Sequence, residues 1–90
     1  MMMTDTLRAA QLRGQDAMSE VIRLARTRGI PPSCAPHMTE LVVLRTAVQI
    51  AIDEWEQGKG TEGAALDVCA EWERHARQLV AALVLPCAVN

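Results

Sequence analysis

Three amphipathic segments joined by two short turns constrain the fold of this chain more than any other feature. In each segment, apolar or small residues recur three and four positions apart, the spacing of one face of an α-helix. These faces comprise Leu7, Ala10, Gly14, Ala17, Val21 and Leu24 in the first segment, Leu41, Leu44, Val48, Ala51 and Trp55 in the second, and Ala65, Cys69, Trp72, Ala76, Leu79 and Leu83 in the third. The pattern predicts helices over residues 7–28, 39–57 and 62–85.

Short connections between long helices favour antiparallel neighbours, so we expect an all-α, up-down-up antiparallel three-helix bundle. Its 90 residues form one predicted domain, 1–90. The chain has no Phe or Tyr and only two Trp, so the core must be built largely from Ala, Leu, Val and Ile. Small scaffolds with modest cores often gain stability by oligomerising. We therefore predict a bundle that is completed by self-association.

The ends of the predicted helices carry residues suited to capping. One of the residues 4–6 can cap the first helix, because a short oxygen-bearing side chain accepts hydrogen bonds from the free amides of the first turn. Gly29 follows the first helix, as expected of a helix C-terminus. The proline-rich residues 30–37 predict a stiff loop, with Thr39 capping the second helix and Thr61 the third. Gly14, inside the first helix, suggests close approach of a neighbouring helix.

The second helix is apolar over most of its circumference, more than two neighbouring helices can cover. We expect the excess apolar residues to form an interface for self-association or for a partner. These residues are Val42, Val43, Ala47, Ile50, Ile52 and Trp55. Trp55 suits either an interface or the core, whereas Trp72 and Cys69 are expected in the core.

Charge is predicted to separate along the bundle, although the net charge is only −2. In an up-down-up arrangement, six arginines fall toward one end: Arg23, Arg26, Arg28, Arg45, Arg74 and Arg77. Guanidinium groups suit bidentate recognition of phosphate or carboxylate, so this basic pole is a candidate anion-binding site. Asp53, Glu54 and Glu56 lie at the C-terminal end of the second helix, where the helix dipole disfavours carboxylates. That placement suggests complementary docking with a second copy or with another partner.

Cys34, His37 and Cys87 fall at the same predicted end as the basic pole. The C-x-x-H spacing of Cys34 and His37 occurs among zinc ligands, and Cys87 would supply a third ligand, but a fourth is missing. A disulfide between Cys34 and Cys87 is an alternative that needs an oxidising compartment. Free thiols are the favoured interpretation, because the cysteine count is odd.

No motif points to catalysis, so the chain is predicted not to be an enzyme and to need no cofactor. His75 is expected to be half-buried and bonded to a carboxylate such as Glu71. The slight acidity and the lack of stacking aromatics argue against DNA or RNA as partners. No signal peptide or membrane-spanning segment is evident, so the predicted location is the cytoplasm, with no membrane partner.

The sequence therefore favours a small helical interaction protein that self-associates and modulates another macromolecule as an inhibitor or adaptor. One alternative is an oligomeric binder of a small phosphate-bearing anion, such as a nucleotide, held by the arginines of the basic pole. A third is a thiol- or metal-responsive switch at Cys34, His37 and Cys87. The identity of the partner protein is not encoded in any motif.

Overall fold

The computed structural model describes residues 3–84, and all regular structure within them is helical. Helix α1 spans Asp5–Arg28, α2 spans Ala35–Glu56 and α3 spans Glu62–Val84, with a short 3₁₀ turn at Pro32–Cys34 before α2. These helices confirm the prediction of an all-helical chain. Their bounds agree with the predicted ones to within two residues, except at the start of α2; residue 85 lies outside the described residues.

Threonine hydroxyls cap the first turns of α1 and α3. Thr4 Oγ1 accepts a hydrogen bond from the Leu7 amide at 3.1 Å, and Thr61 Oγ1 accepts one from the Ala64 amide at 3.1 Å. Each bond satisfies an amide that has no partner within its own helix. The sequence predicted Thr61 as a cap, and Thr4 is one of the three candidates it offered for α1.

The end of α1 follows from a conformation that glycine adopts at little cost. Gly29 has φ of 78°, in the region that side chains with a Cβ avoid, and its amide donates to the Ala25 carbonyl at 2.9 Å. The helix therefore ends where the sequence predicted.

The start of α2 corrects the predicted loop. Residues 35–37 are helical, and Pro36 occupies the first turn, where the amide that proline lacks would have had no helical partner. Thr39 lies inside the helix instead of capping it, and its hydroxyl donates to the Ala35 carbonyl at 3.3 Å. The predicted cap at Thr39 was therefore wrong by about one turn.

Helix α3 lies between the other two helices and supplies the shared part of the core. Both α1 and α2 pack along α3, whereas α1 and α2 have little direct contact with each other. The buried side chains are mostly those of the three predicted stripes, including Leu7, Val21, Leu41, Val48, Cys69 and Trp72. A groove therefore remains between α1 and α2, with α3 beneath it.

Polar contacts tie α1 and α3 together at both ends. The Thr4 hydroxyl donates to the Glu62 carboxylate where the two helices begin. Where they end, Arg28 Nη1 donates to the carbonyls of Leu83 and Val84 at 3.2 and 3.3 Å. The last carbonyls of α3 thus gain a donor and a positive charge, which complements the helix dipole.

Trp72 fills the centre of the core and packs against Gly14 of α1. The side chain is 3% exposed, and its six-membered ring faces the glycine. A Cβ at position 14 would overlap Cε3 of Trp72 and lie 2.7 Å from Cζ3, so glycine is required for this approach. The predicted packing role of Gly14 and the core position of Trp72 are both confirmed.

Candidate interaction surfaces

The outward face of α2 carries exposed β-branched apolar side chains. Val42, Val43 and Ile50 are 53%, 61% and 53% exposed, and half-buried Ala47 lies among them. Val43 and Ile50 lie one heptad apart, opposite the residues that α2 packs against α3. We refer to Val42, Val43, Ala47 and Ile50 as the outward patch.

Two residues of the predicted interface lie on the other side of α2. Ile52 is 2% exposed and Trp55 is 9% exposed, and both belong to the core. Apolar residues surround most of α2, so its periodicity alone did not separate the two faces. The surface left for an interface is the outward patch.

The two ends of α2 differ in charge. The first turn of α2 contains no acidic residue, and its last turn contains no basic residue. Asp53, Glu54 and Glu56 are exposed at the C-terminal end, where unpaired carbonyls already concentrate negative charge. An arrangement that brings these carboxylates beside the N-terminus of another helix would relieve this repulsion.

Most of the six arginines of the predicted basic pole have partners within the chain. Arg23, Arg74 and Arg77 are paired with glutamates on their own helices, and Arg28 binds the carbonyls at the end of α3. Arg26 and Arg45 form no hydrogen bond or ion pair with any described residue. Intrachain pairing therefore occupies four of the six guanidinium groups.

Both remaining arginines border the side of the molecule where α1 faces α2. Arg45 lines a groove of about 300 Å³ between these helices. Arg26 lines an adjoining depression that shares Ser19 and Ile22 with the groove. The groove is lined by Gln11, Gln15, Met18, Ser19 and Ile22 of α1, by Arg45, Val48 and Gln49 of α2, and by Trp72 of α3. We refer to it as the α1/α2 groove.

Trp72 gives the α1/α2 groove an unusual floor. Its Nε1 is buried and has no hydrogen-bond partner among the described residues. A buried donor without an acceptor costs about 1–3 kcal/mol. The sequence did not point to this groove, because Gln11, Gln15 and Ser19 form no recognisable motif and the separation of α1 from α2 appears only in the fold.

A second groove lies between α1 and α3. This groove has a volume of about 380 Å³. Its apolar lining is formed by Ala17, Val80, Ala81 and Val84, and its charged lining by Asp16, Glu20 and Arg77. Val84 is 48% exposed here. This α1/α3 groove and the outward patch are formed by different helices.

The predicted cysteine and histidine cluster is only partly described. Cys34 is a buried free thiol and His37 is exposed in the first turn of α2, whereas Cys87 lies outside the described residues. Within residues 3–84, no three His, Cys, Asp or Glu side chains come close enough to hold a metal ion. Cys69 is a buried free thiol in the core, and burial raises its pKa, which makes the thiolate nucleophile scarcer.

His75 links α2 to α3 through carboxylates. Its Nε2 lies 3.2 Å from Oε1 of Glu40 on α2, and its Nδ1 lies 3.7 Å from Oε1 of Glu71 on its own helix. Nδ1 is also 3.1 Å from the Glu71 carbonyl. The predicted half-buried position is confirmed, but the hydrogen bond of His75 is to the Glu71 carbonyl and not to a carboxylate; the carboxylates of Glu40 and Glu71 lie near the ring.

Glu73 joins α1 to α3 by binding two arginines. It accepts from Arg77 Nε at 2.8 Å and from Arg13 Nε on α1 at 3.3 Å. The hydrogen bond from Arg77 is the main cause that lowers the pKa of Glu73 below its ordinary 4.5, with partial desolvation opposing it and Arg13 adding to it. The ionised carboxylate is therefore favoured in the folded state.

We expect this pair of contacts to make folding pH-dependent. A carboxyl group whose pKa is lower in the folded state contributes its full stabilisation when the pH is above its unfolded-state pKa. This contribution is lost as the pH falls through the folded-state pKa. Glu73→Gln should lower the free energy of unfolding by at most about 1 kcal/mol near neutral pH, since the pair is partly solvated. The difference from the wild type should diminish as the pH falls below the ordinary 4.5 and vanish once it is below the lowered folded-state pKa, as measured in denaturant titrations. Asp16→Asn removes an exposed carboxylate without an ion-pair partner among the described residues; an equal pH effect there would refute the assignment to Glu73.

None of the helices in residues 3–84 is long and apolar enough to cross a membrane. No protein-family model, curated protein or solved structure shows significant similarity to this chain.

Proposed function

We propose that this chain is a small helical interaction protein that self-associates through the outward patch of α2 and binds and modulates another macromolecule. The supporting observation is the exposure of Val42, Val43 and Ile50 on a helix whose opposite face already packs in the core. Large apolar side chains grouped on one surface are typical of interaction sites. The chain would then act by binding, as an inhibitor or adaptor, and not by catalysis.

The proposal includes an up-down-up order of the three helices, completed by a second copy. Polar contacts join α1 and α3 both where they begin and where they end, which favours the same direction for these two helices. The contact between Glu40, early in α2, and His75, late in α3, favours the opposite direction for α2. In this order the outward patch lies on the outside of the bundle, where a second copy can cover it.

A twofold, antiparallel pairing of α2 with α2 of the second copy fits both the side chains and the charges. A twofold contact brings the same patch of each copy together, so the patch must complement itself. Val43 and Ile50 are related by one heptad, the repeat with which helices pack against each other. Antiparallel pairing also places Asp53, Glu54 and Glu56 of one copy beside the positive N-terminal end of α2 in the other.

A double substitution, Val43→Glu with Ile50→Glu, is expected to abolish this association. The pairing would bury four carboxylates across the twofold contact, which strongly disfavours the associated state. We expect at least a 100-fold weaker self-association, about 2.7 kcal/mol, in sedimentation velocity over a range of protein concentrations. The monomer fold should be unchanged by circular dichroism, because both side chains are exposed.

Leu12→Glu provides the matched control for this experiment. Leu12 is a similarly exposed apolar residue, at 51%, but it lies on α1. Its substitution should leave the oligomeric state unchanged. Equal loss of association in both variants would mean that added charge, and not the outward patch, controls assembly, and the proposed interface would be rejected.

The macromolecular partner is proposed to bind the α1/α3 groove, which remains open when α2 is paired. The lining of Ala17, Val80 and Ala81 offers an apolar surface, and Asp16 and Arg77 provide charges for specificity. Ala81→Arg would obstruct this groove from an exposed position, while Ala9→Arg adds the same charge to an exposed site on α1. Cross-linking to the partner should be lost with Ala81→Arg only, and retention in both variants would exclude the groove.

A cytoplasmic location is part of the same proposal. Cys34 and Cys69 form no disulfide within residues 3–84, and the odd cysteine count does not suggest a secreted disulfide scaffold. The proposed location is independent of the proposed oligomer and can be tested by imaging a tagged chain.

A further inference from the structure

We infer that the α1/α2 groove binds a small organic carboxylate with a flat apolar body, with Arg45 pairing to the carboxylate and Trp72 beneath the body. This is a ligand site separate from the proposed interfaces. Arg45 is two residues from Val43 along α2, a rotation of about 200° around the helix, so Val43 faces away from the groove, whereas Val42 of the outward patch lies beside it. Self-association and ligand binding can therefore fail independently.

The size of the groove limits the ligand. Its volume is about 300 Å³, at the lower end of the range for small-molecule sites. One water molecule occupies about 30 Å³ of liquid, so the groove accommodates on the order of ten non-hydrogen atoms. A nucleotide is too large to be enclosed here, whereas a carboxylate on a single ring fits.

The chemistry of the lining selects a ligand with one polar end. Met18, Val48 and Trp72 provide an apolar floor that is itself largely buried. A flat ring can contact the methionine sulfur and the small part of Trp72 that lines the groove, which are favourable contacts. The apolar part of the ligand is therefore expected to lie over Trp72.

Arg45 supplies the charge that the carboxylate needs. It makes no hydrogen bond or ion pair with another described residue, so its guanidinium group remains available to bind a carboxylate through two parallel hydrogen bonds. Gln15 and Gln49 line the same groove from opposite helices and add amide donors beside it. A neutral molecule of the same shape would lose the ionic contact.

The buried indole N–H of Trp72 is a second, independent indication of a ligand. This donor has no acceptor within residues 3–84, although the Trp72 side chain lines the groove. Nε1 itself is buried, so the side chains around it would have to shift before a ligand atom could accept its hydrogen bond. Such a contact would satisfy a donor that has no partner among the described residues.

The test uses benzoate as the probe and benzamide as its neutral counterpart. Titration of ¹⁵N-labelled protein with benzoate should shift the Trp72 indole N–H resonance, identified by its loss in Trp72→Leu, with a dissociation constant on the order of 1 mM. Benzamide should bind at least tenfold more weakly. Inorganic phosphate should leave the Trp72 resonance in place, because it has no apolar body to occupy the floor.

Arginine variants identify the residue that carries the charge. Arg45→Gln should weaken benzoate binding at least tenfold, whereas Arg74→Gln, which removes the same charge from an arginine outside the groove, should change it less than twofold. Unchanged melting temperatures would show that both variants are folded. An unmoved Trp72 resonance at saturating benzoate, equal binding of benzamide, or unaltered affinity in Arg45→Gln would each overturn the proposal. Sedimentation of the same samples reports separately on self-association.

Discussion

Replacing Trp72 with alanine is expected to lower the free energy of unfolding by about 3–5 kcal/mol. The Trp72 side chain is 3% exposed and is the largest of the buried side chains on α3. Both other helices pack against α3. Removal of the Trp72 side chain leaves a cavity at the centre of the core that the straight helices cannot close. A domain of this size has a total stability on the order of 5–13 kcal/mol, so the variant should be close to unfolding.

Chemical denaturation followed by circular dichroism measures this effect at a fixed protein concentration, because the proposed self-association would also contribute to stability. Leu12→Ala serves as the control, since Leu12 is 51% exposed. We expect its effect to stay within about 0.5 kcal/mol. A comparable loss in the two variants would contradict the central position of Trp72.

Gly14→Ala is expected to cause the second large change in the free energy of unfolding, and the sign of that change is informative. Alanine in a helix interior is normally favoured over glycine by about 1 kcal/mol. Here the new methyl group would overlap the Trp72 ring, with 2.7 Å between Cβ and Cζ3. Overpacking of this kind costs about 1–3 kcal/mol or more, so we expect a net loss in the free energy of unfolding.

Gly63→Ala is the control for the intrinsic preference of a helix for alanine over glycine. A Cβ at position 63, in the first turn of α3, meets no atom within 4 Å. This substitution should leave stability unchanged or raise it slightly. If Gly14→Ala were also stabilising, the close approach of α1 and α3 would be wrong.

A double-mutant cycle isolates the contact between these two positions. In a Trp72→Ala background the overlap is gone, so Gly14→Ala should change from destabilising to stabilising. Such a reversal is a coupling between neighbours that independent sites do not show. If the double variant is too unstable to measure, Trp72→Leu provides the same background with a smaller cavity.

The faces of the helices were predictable because they follow from periodicity alone. Leu7, Val21 and Leu83 are buried as the three- and four-residue spacings predicted. Threonine caps at 4 and 61 were also predictable, since a hydroxyl before a helix has one main local role. The start of α2 was not, because proline is excluded from a helix interior but tolerated in the first turn.

Properties that depend on contacts between helices were harder to predict. The sequence marked Ile52 and Trp55 as surface candidates, but their burial depends on where α3 lies beside α2. Arg23 and Arg77 looked available to an anion, yet each is paired with a glutamate on its own helix. The α1/α2 groove exists because α1 and α2 are held apart on α3, a distance that no spacing in the sequence encodes.

The outward patch and the charge asymmetry of α2 support the same proposal from independent properties. Apolar exposure identifies a surface that water disfavours, while the carboxylates at the C-terminal end indicate how a second copy would be oriented. A second copy would also bury apolar surface that the modest core of one chain leaves exposed, and small scaffolds commonly gain stability in this way. Self-association is therefore the central proposal for the outward patch.

Native mass spectrometry of the protein as purified tests that claim most directly. Spectra recorded over a range of protein concentrations, without added ligand or metal, report both the number of chains and any additional mass. We expect a bare homodimer for the wild type and a monomer for the Val43→Glu, Ile50→Glu variant. A monomer at every concentration would contradict self-association and leave the outward patch to a different protein.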